Sequence, residues 1–440
     1  MKSLHLNMYK RINYITAVLI VLTSISVNAQ VTTQSPYSRY GLGNVRGSLL
    51  PQLRAMGGIS SGVFTPNGYS NINMQNPASY PGITHTTLDM GLSGGFTELK
   101  TNSATEKSFN STLGHLAIAF PVVSGKSAVS FGILPYTQLG YSYTESETLA
   151  DGNTYKYLNS GEGGLTKAYI GFGQQIGDHF RVGGNVEYIF GNLLESRSFE
   201  PQFAPSINSR VQNKNSVGGI SYSYGAQYSI PLGRRKSITL GYSGSSSSSI
   251  NSERTYIATR YLTDALGEES TALDTVSNIQ GAKSKLRLPI THNFGFTYQK
   301  DNKWMVGADY RTGKWSNLII PGDNDVLQDS WGYSLGAQIT PDFTSINNYF
   351  KRIEYRIGFQ YDKTYIMLQD QDINQRAFTF GLGLPLAPNV TSRTSAYKMN
   401  LTAELGRRGT LSNSLVQESY FNIHLGFTLN DTWFRRYKFN

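Results

Sequence analysis

The 440-residue chain contains no cysteine. That excludes a disulfide framework, thiolate metal sites, thiol nucleophiles and a lipidated N-terminal cysteine. Charge is scarce as well: Asp, Glu, Lys and Arg make up 15% of the residues, where a soluble domain carries about a quarter. No stretch of the chain beyond its N-terminus approaches the roughly 20 consecutive apolar residues of a transmembrane helix, so a helical membrane bundle is excluded. Nor does a period of about 40 residues with a recurring blade motif run through the sequence, which removes a propeller. What is abundant is glycine (45), tyrosine (29) and phenylalanine (21), a composition opposed to disorder. The net charge of +10 comes from scattered basic residues. Their one tight cluster, Arg234-Arg235-Lys236, falls in a turn pattern, so no nucleic-acid footprint is present.

The N-terminus reads as an export signal. Lys2, Lys10 and Arg11 form a basic region, Ile15 to Val27 an apolar core, and Val27-Asn28-Ala29 a small-residue cleavage site, so residues 1–29 are expected to be removed and Gln30 to start the mature chain. The alternative, an uncleaved anchor, is disfavoured by the shortness of that core.

From residue 86 onward the chain alternates. Ile220, Tyr222, Tyr224, Ala226, Tyr228 and Ile230 are separated by Ser, Gly and Gln; Ile353, Tyr355, Ile357, Phe359 and Tyr361 alternate with Glu354, Arg356, Gly358, Gln360 and Asp362. Leu286, Leu288, Ile290, His292, Phe294, Phe296 and Tyr298 alternate in the same way with Arg287 through Gln299. Period two over about ten residues marks a strand with one apolar and one polar face. Fourteen such segments begin near residues 86, 112, 127, 165, 180, 217, 237, 286, 303, 331, 353, 376, 396 and 419. Short turns at 124–126, 177–179, 232–234 and 300–302 alternate with long polar stretches at 145–164, 193–216 and 249–284, expected to be loops. These features predict an all-β fold: a closed transmembrane antiparallel β-barrel of about fourteen strands in a bacterial outer membrane, residues 86–440, contacting outer-membrane lipids. A soluble β-sandwich would show more Lys and Glu on its outer faces.

The polar face should line the lumen. It carries Asp89, Arg181, Glu187, Arg287, Asp309, Arg311, Glu354, Arg356, Asp362, Lys398 and Glu404. Ion pairing that stiffens the wall is the expected role, and a polar solute path the sharper one. Trp304, Tyr310, Trp315, Trp331 and Trp433 are expected in interfacial girdles.

Residues 30–85 lack alternation and hold Ser35-Pro36-Tyr37, Arg54-Ala55-Met56-Gly57-Gly58 and Asn76-Pro77-Ala78-Ser79. With Leu49, Leu53, Met56, Val63 and Phe64 this stretch is too apolar for a tail. It is expected to be an N-terminal hatch that plugs a barrel too wide for side chains alone to fill. Arg39, Arg46 and Arg54 would then meet wall acids such as Glu187, Asp309 or Glu354. With these elements in this order, and with Leu134-Pro135-Tyr136, Pro341 through Tyr349, Arg352 through Gly358 and Tyr420 through Asn430, the chain resembles the FadL-like outer-membrane family in its Bacteroidetes-type branch. The resemblance implies fourteen strands and a hatch containing Gly57, Gly58, Asn76 and Pro77. It also implies either passage of hydrophobic molecules or a non-transporting role beside other proteins.

No enzyme emerges. Gly58-Ile59-Ser60-Ser61-Gly62 matches a nucleophile elbow in letters but lacks its strand and helix. His292 and His424 have no serine partner in sequence, and the six histidines show no metal spacing. Asp323-Asn324-Asp325 and Asp370-Gln371-Asp372 read as solvated loops rather than calcium sites. No cofactor and no metal are expected. The functional expectation is passive transport of hydrophobic or small solutes along a lumen path including Arg54, Asp89, Glu187, Asp309, Arg311, Glu354 and Arg356. The alternative is a non-conducting interaction barrel, an accessory subunit of an outer-membrane assembly or secretion machine with outer-membrane or periplasmic protein partners.

Overall fold

The computed structural model describes residues 35–65, 69–150, 152–203, 206–263, 269–321, 326–386 and 396–432. The expected signal peptide, Asp323-Asn324-Asp325 and Trp433 lie outside them. The wall consists of fourteen antiparallel strands. The first two are β1 (Thr86–Lys100) and β2 (Thr105–Val123). Strand β3 is broken into Ser127–Pro135 and Thr137–Thr148. Next come β4 (Thr154–Ile176), β5 (Phe180–Pro201) and β6 (Asn208–Pro231). Two more broken strands follow: β7 (Lys236–Ser245 with Ser249–Tyr261) and β8 (Asp274–Arg287 with Thr291–Lys300). The wall is completed by β9 (Trp304–Gly313), β10 (Ser330–Ile339), β11 (Glu354–Leu368), β12 (Gln371–Leu386), β13 (Ala396–Gly409) and β14 (Gln417–Asp431). Pairing of β14 with β1, from Gln417↔Lys100 to Asp431↔Thr86, closes the cylinder and leaves no sheet edge in the lipid zone there.

Lipid-facing and inward positions follow the period-two pattern. Ile220, Tyr222 and Tyr228 are exposed on β6, while Ser221 and Gln227 between them are buried. On β14, Ile423 faces outward and Thr428 is fully buried, donating to Asp89 (2.7 Å). Ile423→Arg is therefore expected to cost about 2–4 kcal/mol at mid-depth and to reduce the heat-modifiable folded band on semi-native gels. Thr428→Ser keeps the inward hydroxyl and should leave that band unchanged; equal yields of the two variants would refute this face assignment.

Three expectations are corrected. The stretches 145–164, 193–216 and 249–284 are mostly strand, because β3 to β8 continue well past the lipid zone. β4, β5 and β6 are 23, 22 and 24 residues long, against roughly ten for a tilted crossing. Their buried positions are largely polar, as at Asn159, Ser198, Asn215 and Ser252, and their exposed face is mixed, so hydrophobic alternation could not reveal them. Second, the break in β8 at residues 288–290 reverses its phase. Leu286 and Leu288 point inward and are buried while Arg287 is exposed, whereas Phe294 and Phe296 face lipid. A shift of phase exchanges the faces of everything beyond it. Third, Trp315 is no girdle residue: it is buried and stacks on Tyr365 with ring centroids 4.5 Å apart.

Residues 35–85 carry short helical turns at Pro36–Arg39, Pro51–Arg54 and Pro77–Gly82, and a two-residue strand, Asn44–Val45. They lie against inward faces of the wall. The wall begins and ends at its short-turn end, yet Ser35 sits far toward the opposite, loop end. Its amide donates to the Gly140 carbonyl (3.1 Å) and its hydroxyl to Glu418. The chain then follows the inner edge of β3, pairing Asn44 with Gln138 and Val45 with Thr137, before descending.

Candidate functional site

The lumen is filled in layers. Toward the loop end, Tyr37 and Leu42 join Leu139, Leu165, Ile189, Leu193, Leu286, Trp315 and Tyr365 in one buried apolar cluster. Toward the turn end, Leu53, Met56, Ile59 and Val63 pack with wall residue Met305. Leu50, Ile72, Met74, Tyr80 and Ile83 pack on Ala117, Ala119, Ala128, Leu134 and Tyr169. Small wall alanines give the incoming chain room where larger inward side chains would exclude it.

Polar anchors fix the segment. Asp309 Oδ2 accepts from the amides of Ser60 (2.8 Å) and Ser61 (2.9 Å), so the elbow-like Gly58–Gly62 run is a turn clamped by a wall carboxylate. Asn76 caps the following turn through the Ala78 amide (3.1 Å) and donates to the Ser61 carbonyl (2.7 Å), and Pro77 takes the first position of that turn. Gly57 and Gly58 have φ of +67° and +84°, a region side chains disfavour. A Cβ on Gly57 would also lie 2.6 Å from the Leu335 and Phe359 carbonyl oxygens. Wall glycines answer it: a Cβ on Gly358 would stand 2.0 Å from the Gly57 nitrogen, and one on Gly241 1.8 Å from the Ser61 carbonyl oxygen. These wall glycines belong to the site and were missed in sequence. Glycine within a strand signals close backbone approach, and that cue was available.

The remaining site candidates fall into separate pairs. Asp89 contacts His115 Nε2 (2.6 Å). Glu187 pairs with Lys167 (2.9 Å) and accepts from Ser223 (2.8 Å). Arg311 binds Asp362 (2.7 Å). Glu354 holds both Arg356 and Lys398, the latter at 3.2 Å, and Arg356 continues to Gln338 and Asn400. Arg54 does not meet the wall acids expected for it; it donates to the Leu49 (3.1 Å) and Gly47 (3.2 Å) carbonyls, and Arg46 donates to Gln138. Of the three acids expected to meet them, Glu187 and Glu354 are matched by wall bases and Asp309 by the Ser60 and Ser61 amides, which leaves these arginines to neutral oxygens. Arg39 donates to the Tyr143 hydroxyl.

Between the layers lies a cavity of about 360 Å³ whose lining includes Arg46, Arg54, Lys167, Glu187, Arg311, Asp362, Glu404 and Arg408. A second lobe on the other side of residues 44–54 includes Ser93, His115, Pro135 and His424. It reaches the break in β3, where β2 pairs with β3 only from Leu116 toward the turn end, leaving the edge of Thr105–His115 without a β3 partner. Sequence alone could not find the serine beside His424: Ser93 Oγ lies 2.8 Å from its Nδ1, and Glu404 3.5 Å from its Nε2. Among the described residues no group of three or more His, Cys, Asp or Glu side chains is arranged to hold a metal ion.

The family model described as BamG matches residues 8–440. No curated protein matches the chain. Among solved structures it is similar to the Pseudomonas putida toluene transporter TodX, with a TM-score of 0.58, 16% identity and coverage of 89% of this chain and 100% of that one. It is similar also to a Pseudomonas aeruginosa FadL homologue (TM-score 0.55, 10% identity, 88% and 99% covered). The third is the Ralstonia pickettii toluene transporter TbuX (0.52, 15%, 88% and 99%). Identities this low speak for the fold alone. A closed fourteen-strand wall of FadL-like architecture makes the protein a multi-pass outer-membrane β-barrel, and the chain belongs to the BamG family.

Proposed function

We propose that the protein is a non-conducting interaction barrel that serves as an accessory subunit of an outer-membrane assembly or secretion machine, with residues 30–85 acting as its hatch. The observation that carries this reading is the filled lumen. A route for hydrophobic solutes calls for an apolar pocket between segment and wall. Here the apolar side chains of the segment are packed against the wall, and the open space, although partly apolar, carries the charged groups of Arg46, Arg54, Lys167, Glu187, Arg311, Asp362, Glu404 and Arg408. The loop-end extension supports the same reading. The first half of β8, Asp274–Arg287, pairs on one side with β7; among the described residues its other side meets only Ile319, through Arg287. Val276 and Ile279 stand exposed there, and an unpaired edge is a template for another chain. The barrel is read as carrying no catalysis.

A photo-crosslinker at Val276 is expected to capture a single outer-membrane protein that also co-purifies stoichiometrically with the intact chain in mild detergent. One at lipid-facing Leu240 is expected to capture none. Recovery of the chain alone, with no partner at Val276, would refute the reading. A second reading, passive passage of small solutes through a side opening, is favoured by one observation: the break in β3 after Pro135 and the cavity lobe that reaches it.

A further inference from the structure

Five neighbouring strands, β12, β13, β14, β1 and β2, align two rows of outward side chains. Phe378, Leu405, Phe421, Phe96 and Phe109 are successive cross-strand partners. One step closer to the loop end so are Arg376, Arg407, Ser419, Glu98 and Lys107. The aromatic row is half exposed, with the Phe96 and Phe109 rings 4.7 Å apart. Between the two rows runs a shallow groove whose lining includes Phe96, Lys107, Phe109, Arg376, Phe378 and Arg407. Apolar rows continue from Phe378 to Leu386 toward the turn end, about 27 Å along the strands and about 20 Å of membrane depth once the strands tilt. The basic row thus lies at the loop-end boundary of the apolar band, at headgroup level.

Arg376 and Arg407 stand directly opposite one another, both exposed. Among the described residues no carboxylate forms an ion pair with either, whereas Lys107 has Glu98 at 3.4 Å. Like charges opposed across a sheet repel, and a pair of guanidinium forks fits a phosphate. We propose that this groove binds a phosphorylated, multiply acylated glycolipid of the outer leaflet, one acyl chain lying over the aromatic row and a phosphate between Arg376 and Arg407. The charge complementarity of the row and its depth select this occupant over hydrocarbon chains alone.

The test uses the full chain in nanodiscs of neutral phospholipid, titrated with bisphosphorylated lipid A and read by native mass spectrometry. Wild-type protein is expected to retain lipid A at least ten-fold better than Arg376→Gln/Arg407→Gln. A control losing the same charge on the loop-end extension, Lys283→Gln/Lys285→Gln, should bind like wild type. Dephosphorylated lipid A of the same acyl chains should bind wild type at least ten-fold more weakly, a comparison that holds even if the double variant folds poorly. Inorganic phosphate at millimolar concentration should not compete. Equal retention by wild type and the folded double variant, indifference to the phosphates, competition by free phosphate, or a protein chain rather than lipid on this face in native membranes would each overturn the proposal.

Discussion

Asp309→Ala is expected to free the N-terminal segment while leaving the wall closed. The carboxylate receives two backbone amides, Ser60 and Ser61, deep in the lumen. Hydrogen bonds to a charged acceptor are worth about 1.5–3 kcal/mol each, and buried donors left unmet add their own penalty. Losing both should cost about 3 kcal/mol or more, paid in local opening rather than in global unfolding, because the wall keeps its own ladder. The readout is trypsin cleavage at Arg46 and Arg54 in the folded protein, which should accelerate about 100-fold, since each 1.4 kcal/mol is a factor of ten. Asp309→Asn retains an acceptor oxygen and should lie between wild type and alanine. Unchanged cleavage in Asp309→Ala would mean that the clamp does not hold the segment.

The wall was legible because lipid enforces a strict pattern. Ile220 through Ile230 had to alternate, and all fourteen strand positions follow from that physical demand. Legibility ended where lipid ends. The extensions of β3 to β8 leave the lipid and bury largely polar positions such as Asn159, Ser198, Asn215 and Ser252, and no hydrophobic periodicity distinguishes them from loops. It failed again at strand breaks, where Leu286 and Leu288 turn from lipid to lumen. In the site, Gly57-Gly58 and Asn76-Pro77 were visible as turn chemistry, whereas their partners were not. Asp309 could be assigned to the lumen by its parity, but two serine amides 248 and 249 positions away come to it only through the closed barrel. Pairing of Glu354 with Lys398 is of the same kind. The arginines of the segment misled for a related reason: counting charges did not show that Glu187 and Glu354 are already met by wall bases and Asp309 by backbone amides.

The second large effect concerns the lumen itself. Fourteen strands enclose more space than inward side chains fill, and residues 35–80 supply much of the missing volume: Leu50, Leu53, Met56, Ile59, Ile72 and Tyr80 are all buried against the wall or one another. Their removal would also strip Tyr37 and Leu42 from the loop-end cluster. The wall, whose strands pair independently of the segment except at Asn44–Val45, should still close. What would remain is a cylinder lined by Asp89, Glu187, Asp309, Arg311, Glu354 and Arg356, wide and wet enough to carry ions. The measurement that tests the account most directly is therefore single-channel conductance in planar bilayers, comparing the intact chain with one lacking residues 35–80. The account predicts a silent intact barrel and a large, long-lived ion conductance after deletion. A conducting intact barrel, or a correctly folded deletion variant as silent as the intact chain, would contradict it.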